Sequence, residues 1–427
     1  MLKIFKRGET PDAELVRREA GAANVTDTVA AIIADVRQNG DAALLAYNAR
    51  FDRAEGVALE VTAEELDAAC GRVDPELVKV MELAAANIRA FHSRQLSHGY
   101  IMSGKNGSLL GQRVIPLRRV GLYIPGGTAA YPSSVLMNCI PAKIAGVDEI
   151  VMTTPASGGA VSDVILAAAK IAGVDRVFRV GGAQAVAALA YGTVTVPQVD
   201  KIVGPGNAFV AEAKRQVFGQ VAIDMIAGPS EILVVSDGKS DPKWIAADLL
   251  SQAEHDKLAT AILITDSMPL AEAVQAEVER QLAVLPREEI ARAAIEANGK
   301  IIVTGTLDEA VEMANAVAPE HLELAVDSPF DFLPKVRNAG SIFLGRYCPE
   351  PLGDYLSGTN HTLPTMGTAR FSSPLGVEDF VKRSYFSYYT ADALEQVADA
   401  AALFADAEGL HGHAVSATAR RNGGEGK

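Results

Sequence analysis

Gln252 and His255 stand three residues apart at the end of the apolar run WIAADLLSQAEH. Residues at that spacing share a helical face, so an amide oxygen and an imidazole nitrogen can converge on one point. That is half of a mixed nitrogen and oxygen metal site, or two polar groups on a solvated face. The pair alone favours the second reading. Glu320 and His321 adjoin in APEHLEL and are expected at the end of a helix. A carboxylic acid beside an imidazole offers two titratable groups of different intrinsic strength, suited to divided acid–base work. A capped helix end accounts for the pair equally well. Asp354, in GDYLSGTNH, is expected in a Gly/Ser-rich loop after a strand. A carboxylate there ligates a cation or, more commonly, bonds the backbone of a turn. EGLHGH adds Glu408, His411 and His413; the two histidines diverge on a helix, so only one is expected to face any site.

Three glycine clusters follow strand-like runs: Pro125-Gly126-Gly127, Gly181-Gly182-Ala183-Gln184 and Gly204-Pro205-Gly206-Asn207. Glycine lets backbone N–H groups approach a ligand at the carboxyl ends of strands in an open α/β sheet. None completes a GxGxxG, and GPGNAF lacks the third glycine. Each alone reads as a tight turn; three in one module point to a nucleotide site. Cys139, in VLMNCIPAK, lies on an apolar helical pattern and reads as a buried, inert thiol. No Walker-type loop, HExxH or cysteine-rich zinc pattern is present.

The elements that must hold these residues alternate in type. From Val120 onward, β-branched runs (VGLYIP, EIVMTTP, RVFRVGG, KIVGPG, VAIDMIAGP) are separated by alanine-rich helical runs. The pattern repeats with EILVVSD, AILITDS, KIIVTG and AGSIFLG as strands. Such alternation is the mark of βαβ units and parallel sheets. The expected fold class is α/β: two consecutive Rossmann-like βαβ modules, meeting near Gly228 to Glu231, with helical N-terminal and C-terminal segments.

The chain has 427 residues, 49% of them hydrophobic, enough for more than one core. A net charge of −14 speaks against a nucleic-acid backbone or an anionic membrane as partner. Cys70, Cys139 and Cys348 are scattered, with no CxxC pair, which argues against a disulfide framework. The charged start MLKIFKRGETPD is unlike a signal peptide. No segment reaches the roughly 18 uncharged apolar residues of a membrane span. A cytoplasmic protein is expected.

Eight stretches taken together resemble one family, the histidinol dehydrogenases: VGLYIPGGTAAYPSSVLMN, VGGAQAVAALAYGT, KIVGPGNAFVAEAKRQVFG, IDMIAGPSEILV, DLLSQAEHD, APEHLEL, GDYLSGTNHTLPT and EGLHGH. They follow the family's order and spacing. The resemblance implies one Zn2+ per subunit, held by Gln252, His255, Asp354 and His413. It implies Glu320 and His321 as the acid–base pair. Substrate contacts would come from Ser230, Gln252, His255, His321, Asp354, Glu408 and His413, and NAD+ contacts from Tyr123, Gln184 and Asn207. The implied reaction oxidises L-histidinol through L-histidinaldehyde to L-histidine with two NAD+, closing histidine biosynthesis. The implied assembly is a homodimer whose C-terminal segments complete each other's active sites. The domains expected are an N-terminal segment, 1–24; a larger α/β domain, 25–121 plus 231–375; an NAD-binding Rossmann-like domain, 122–230; and a C-terminal helical segment, 376–427. The alternative is a zinc- and NAD-dependent enzyme of the same fold acting on another small polar alcohol.

Overall fold

The computed structural model describes residues 2–18, 24–126 and 130–421. The chain divides into two compact units, the first from the described residues of Met1–Gln95 and Leu117–Phe380, the second from those of Leu96–Pro116 and Val381–Lys427.

The first unit carries two parallel sheets. One runs in the spatial order Arg176–Arg179, Glu149–Thr154, Arg119–Tyr123, Lys201–Val203, Ala222–Ile223. The other runs Lys3–Lys6, Lys300–Val303, Thr260–Thr265, Glu231–Ser236, His321–Ala325, Ser341–Leu344. Apart from the added Lys3–Lys6 strand, both modules place their strands third, second, first, fourth, fifth, the doubly wound order. Glu231–Ser236 and Thr260–Thr265 are buried at every position. Unbroken β-branched runs fit a sheet covered on both faces. Ile232, Leu233 and Val234 are fully buried, each stabilising by about 1.5–3 kcal/mol. The strand that begins with Glu231 is therefore fixed by its interior. Helix Gly182–Tyr191 is buried from Ala183 to Ala190, because alanine lets it lie close against the sheet.

Several expectations need correction. His321 does not end a helix: the helix stops at Val317, and His321 opens an interior strand. Helix Pro242–Ala253 ends before His255, so Gln252 and His255 do not both leave a helical face; His255 sits in the following turn, its N–H donating to the Gln252 carbonyl at 3.1 Å. Asp354 lies on a short helix, Pro351–Tyr355, rather than in a loop. Of VAIDMIAGP only Ala222–Ile223 is strand. The N-terminal segment contributes the edge strand Lys3–Lys6, and the tail begins with strand Val381–Tyr388 before turning helical.

In the second unit that strand pairs antiparallel with Leu109–Pro116, which pairs with Tyr100–Ser103. Helices Ala391–Glu395, Ala398–Ala407 and His411–Thr418 follow. Among the described residues no helix is long and apolar enough to cross a membrane.

Candidate active site

A cavity of about 830 Å³ opens at the carboxyl ends of the five-stranded sheet. Tyr123 ends its central strand, Gln184 lies in the first turn of the helix after Arg176–Arg179, and Asn207 caps the helix after Lys201–Val203; all three line the cavity. The strand order reverses between Arg119–Tyr123 and Lys201–Val203, where open α/β sheets bind ligands. The Gly182 N–H donates to the Tyr123 hydroxyl at 3.1 Å, and burial pushes that phenol up to about 12. Asn207 Oδ1 accepts from the N–H groups of Phe209 and Val210, which leaves its amide NH₂ as the donor available to a ligand. Gly204 has φ +117°, and a Cβ there would strike the Tyr123 carbonyl oxygen, so glycine is obligatory where the two strands part. The buried pair Lys214 and Asp224 braces the same turn, binding the Gly204 carbonyl at 2.9 Å and its N–H at 2.8 Å. Of the glycine clusters, Gly127 lies outside the described residues.

A second polar cluster gathers at the amino ends of the six-stranded sheet. Ser230 immediately precedes strand Glu231–Ser236, and its carbonyl accepts from Thr260 N–H at 2.9 Å. The Glu231 carbonyl lies 2.9 Å from His321 Nδ1. A carbonyl only accepts, so Nδ1 carries the proton and Nε2 keeps its lone pair. Nε2 lies 3.5 Å from Glu350 Oε1 and 4.0 Å from Asp354 Oδ1. Burial holds His321 below the usual imidazole range, so it is neutral near pH 7. Glu320 Oε2 accepts from the Glu231 N–H at 2.8 Å, and burial raises its carboxyl well above the ordinary value. Glu350 is pushed up to about 9, first by burial and then by the neighbouring Asp354 charge. His361 Nδ1 lies 3.7 Å from Asp354 Oδ1, and its Nε2 meets Ser134 Oγ at 3.3 Å.

Besides Glu231 Oε1, whose contact is the ion pair with Arg18, four buried polar atoms in this cluster end without a hydrogen-bond partner: both amide atoms of Gln252, His321 Nε2 and Glu350 Oε1. The Gln252 amide lies beside Glu350, close enough to favour its charged form, yet neither atom reaches hydrogen-bonding geometry. Orphaned buried polar atoms are rare and point to a ligand or ion. The donors are nitrogen and oxygen without thiolate, a set that suits zinc, manganese or cobalt. The residues therefore fit a metal. Among the described residues, His321, Glu350 and Asp354 form the cluster whose donor atoms approach within 4.8 Å of one another. It shares only Asp354 with the ligand set implied by the sequence.

Residues 15–421 match the histidinol dehydrogenase family. The chain belongs to that family. Over 414 residues it is 56% identical to the histidinol dehydrogenase of Geobacter metallireducens, covering 96% of this chain and 95% of that one. The enzyme of Geobacter sulfurreducens is 55% identical over 411 residues, with 96% of each chain covered. The crystal structure of histidinol dehydrogenase from Elizabethkingia anophelis superposes with a TM-score of 0.93 at 36% identity, over 98% of both chains.

The first unit thus brings together Ser230, Gln252, His255, Glu320, His321 and Asp354 of the residues carried over from the histidinol dehydrogenase family. His255 is exposed, but its charge is felt at both His321 and His361. Glu408 and His413 belong to the second unit, Glu408 at the end of helix Ala398–Ala407 and His413 on the exposed helix His411–Thr418. His411 pairs with Asp406 at 2.8 Å. Sequence reasoning missed Glu231, Glu350 and His361. The spacing of Glu350 to Asp354, four residues, was the one signal available for the second. Cys139 is fully buried and its thiol is pushed up to about 12, which removes it as a nucleophile.

Proposed function

We propose that the chain oxidises L-histidinol through L-histidinaldehyde to L-histidine, consuming two NAD+. The observation that carries this reading is the buried, neutral His321, its Nδ1 tied to a carbonyl and its Nε2 unpartnered beside Glu350 and Asp354. Gln252, His255 and Asp354 would hold a zinc ion together with His413. Bound there, the ion would anchor the imidazole and amine nitrogens of histidinol, since one anionic ligand leaves it short of donor charge. Positioning alone can lower a barrier by about 7–11 kcal/mol.

His321 Nε2 takes the hydroxyl proton while the carbinol carbon gives a hydride to NAD+ in the 122–230 domain, where Tyr123, Gln184 and Asn207 hold the dinucleotide. Glu320, its carboxyl raised by burial, is a strong enough base to draw a proton from water as the water adds to the aldehyde. As the water adds, His321 hands its first proton to the aldehyde oxygen and is neutral again, so the gem-diol can give it a second proton while a second hydride goes to a second NAD+. The product has gained one oxygen, from water. Ser230 and Glu408 would contact the substrate, and Glu408 with His413 would serve the partner subunit of a homodimer. Large apolar side chains exposed on the second unit, among them Ile101, Met102, Tyr385, Leu403 and Phe404, support such an assembly.

The test is stoichiometric. Purified protein with zinc, L-histidinol and NAD+ should yield two NADH per histidinol consumed. One NADH with accumulating aldehyde defeats the proposal. Glu320→Gln should slow oxidation of supplied aldehyde more than that of the alcohol; equal slowing means that water activation is misassigned.

A further inference from the structure

We propose that the buried ion pair between Arg18 and Glu231 is the device that positions Glu320 and His321. Arg18 Nη1 lies 2.8 Å from Glu231 Oε1, with side chains 8% and 2% exposed. Nothing in the reaction requires a charge there, and burying one is costly unless it is paired. What the pair holds is the backbone of the site. Glu231 uses three groups at once. Its N–H donates to the Glu320 carboxylate at 2.8 Å, its carboxylate accepts the Glu320 N–H at 3.3 Å, and its carbonyl fixes the His321 tautomer. Arg18 supplies the counter-charge to this knot, and its Nη2 donates to the Val317 carbonyl at the end of the preceding helix. Between those anchors the chain must pass Ala318 in a left-handed conformation, φ 52°, before it reaches Glu320. A non-glycine residue there is held only by its surroundings.

The segment bearing Arg18 is itself pinned. Lys300 Nζ donates to the carbonyls of Leu15 and Arg17 at 3.1 and 2.7 Å, and Leu15 is buried in the core behind the six-stranded sheet. Burial raises the Glu231 carboxyl to about 7 while Arg18 pulls against it. Without Arg18 the buried Glu231 side chain would lose its counter-charge, and its grip on the Glu320 backbone would loosen. Arg18 and Glu231 touch no reacting atom; they are positioning residues. The inference rests on the roles proposed above for Glu320 and His321.

The experiment compares Arg18→Met, Arg18→Lys, Glu231→Gln and the Arg18→Met/Glu231→Gln double variant in histidinol oxidation. Arg18→Met should lower kcat about 10²-fold, the cost of a misplacement near 1 Å, with both KM values within about threefold and zinc content unchanged. Arg18→Lys should recover part of the loss. The double variant should be no slower than the slower single one, because the two residues act as a unit. Additive losses overturn the proposal, as does an Arg18→Met protein that melts earlier but turns over normally. Should Arg18→Met fail to fold, wild-type kcat in both Arg18→Lys and Glu231→Gln overturns it. A wild type inactive on histidinol refutes the proposed activity instead. The positioning claim is then read from the ¹⁵N shifts of His321, where loss of Arg18 should mix the two tautomers; a single tautomer in Arg18→Met refutes it.

Discussion

The two modules of the first unit share one strand order and carry their candidate sites at opposite edges. In the first, Asp200 accepts from the N–H groups of Arg118 and Arg119, and Asp175 from that of Ile150, so carboxylates cap the strand N–H groups at the amino edge, beside a cavity of about 530 Å³ lined by Arg118, Arg119 and Asp200. Its carboxyl edge holds the glycine turns and the cavity of Tyr123, Gln184 and Asn207. In the second, the carboxyl edge is closed. Ser236 and Ser240 bond to the Ala325 carbonyl, and Arg346 bridges Ser240, Asp237 and Asp327. The candidate cluster of His321, Glu350 and Asp354 stands at the amino edge instead. On the reading proposed above, the doubly wound rule that ligands bind at carboxyl ends holds for the candidate site of the first module and fails for that of the second. The difference lies in edge residues. A carboxylate that caps strand N–H groups ends an edge in the first module, whereas in the second the Glu231 N–H is spent on orienting Glu320.

The largest expected effect tests whether the amino edge of the second module is a base site. His321→Ala should lower kcat about 10³-fold, within the range for general bases, and should keep its zinc after dialysis. Asp354→Ala should lose zinc under the same conditions. If both lose it alike, His321 is a ligand and the cluster with Glu350 is the metal centre. Burial lowers the His321 pKa, so its basic form persists into more acidic solution. The acid limb of kcat/KM should therefore fall below the free-imidazole value of about 6.5.

A smaller effect belongs to the carboxyl edge of the first module. Asn207→Ala removes one donor from the cavity and the cap of helix Ala208–Val217. The KM for NAD+ should rise about tenfold, the worth of one hydrogen bond near 1.4 kcal/mol. Stability should fall by about 1 kcal/mol for the lost cap. The KM for histidinol should not move; if it does, the two edges do not divide the substrates.

Much of this division was legible in the chain. The buried strands of both modules announce themselves as unbroken β-branched runs, and the glycine clusters fall at strand ends. His321 was misplaced because the alternating run HLELA is only five residues long and follows closely on a helical pattern, and its strand partners lie far off in sequence. Lys3–Lys6 was missed because an edge strand of four residues, two of them lysine, carries no pattern. The sheet of the second unit was missed for the same reason: Tyr100–Ser103 is exposed throughout, so no face is apolar by alternation. Glu231 and Glu350 look like ordinary surface acids in sequence, and only the fold removes them from water. Gln252 and His255 suggested a site by their spacing, although the helix that suggested it ends between them.

The smallest effect should come from the closed carboxyl edge of the second module, and it bears most directly on the comparison. Arg346→Met removes the bridge between Asp237 and Asp327 while keeping the packing of the stem. Asp237 is about one-tenth exposed and Asp327 about half, so the loss, after discounting for solvent, should be about 1–2 kcal/mol. Turnover and both KM values should stay within about twofold. Burial pushes the Asp237 carboxyl up, but Arg346 and the N–H groups of Asp327 and Lys239 more than offset it, leaving it below the ordinary value. A depressed carboxyl stabilises the fold at every pH above the unfolded value, about 3.9, and loses that contribution as pH falls through the folded value. The gap in melting temperature between wild type and variant should therefore be constant from pH 8 to 5 and narrow only below about 4. A raised KM for NAD+ in this variant would mean that the second module also presents a nucleotide at its carboxyl edge, and the contrast between the modules would collapse.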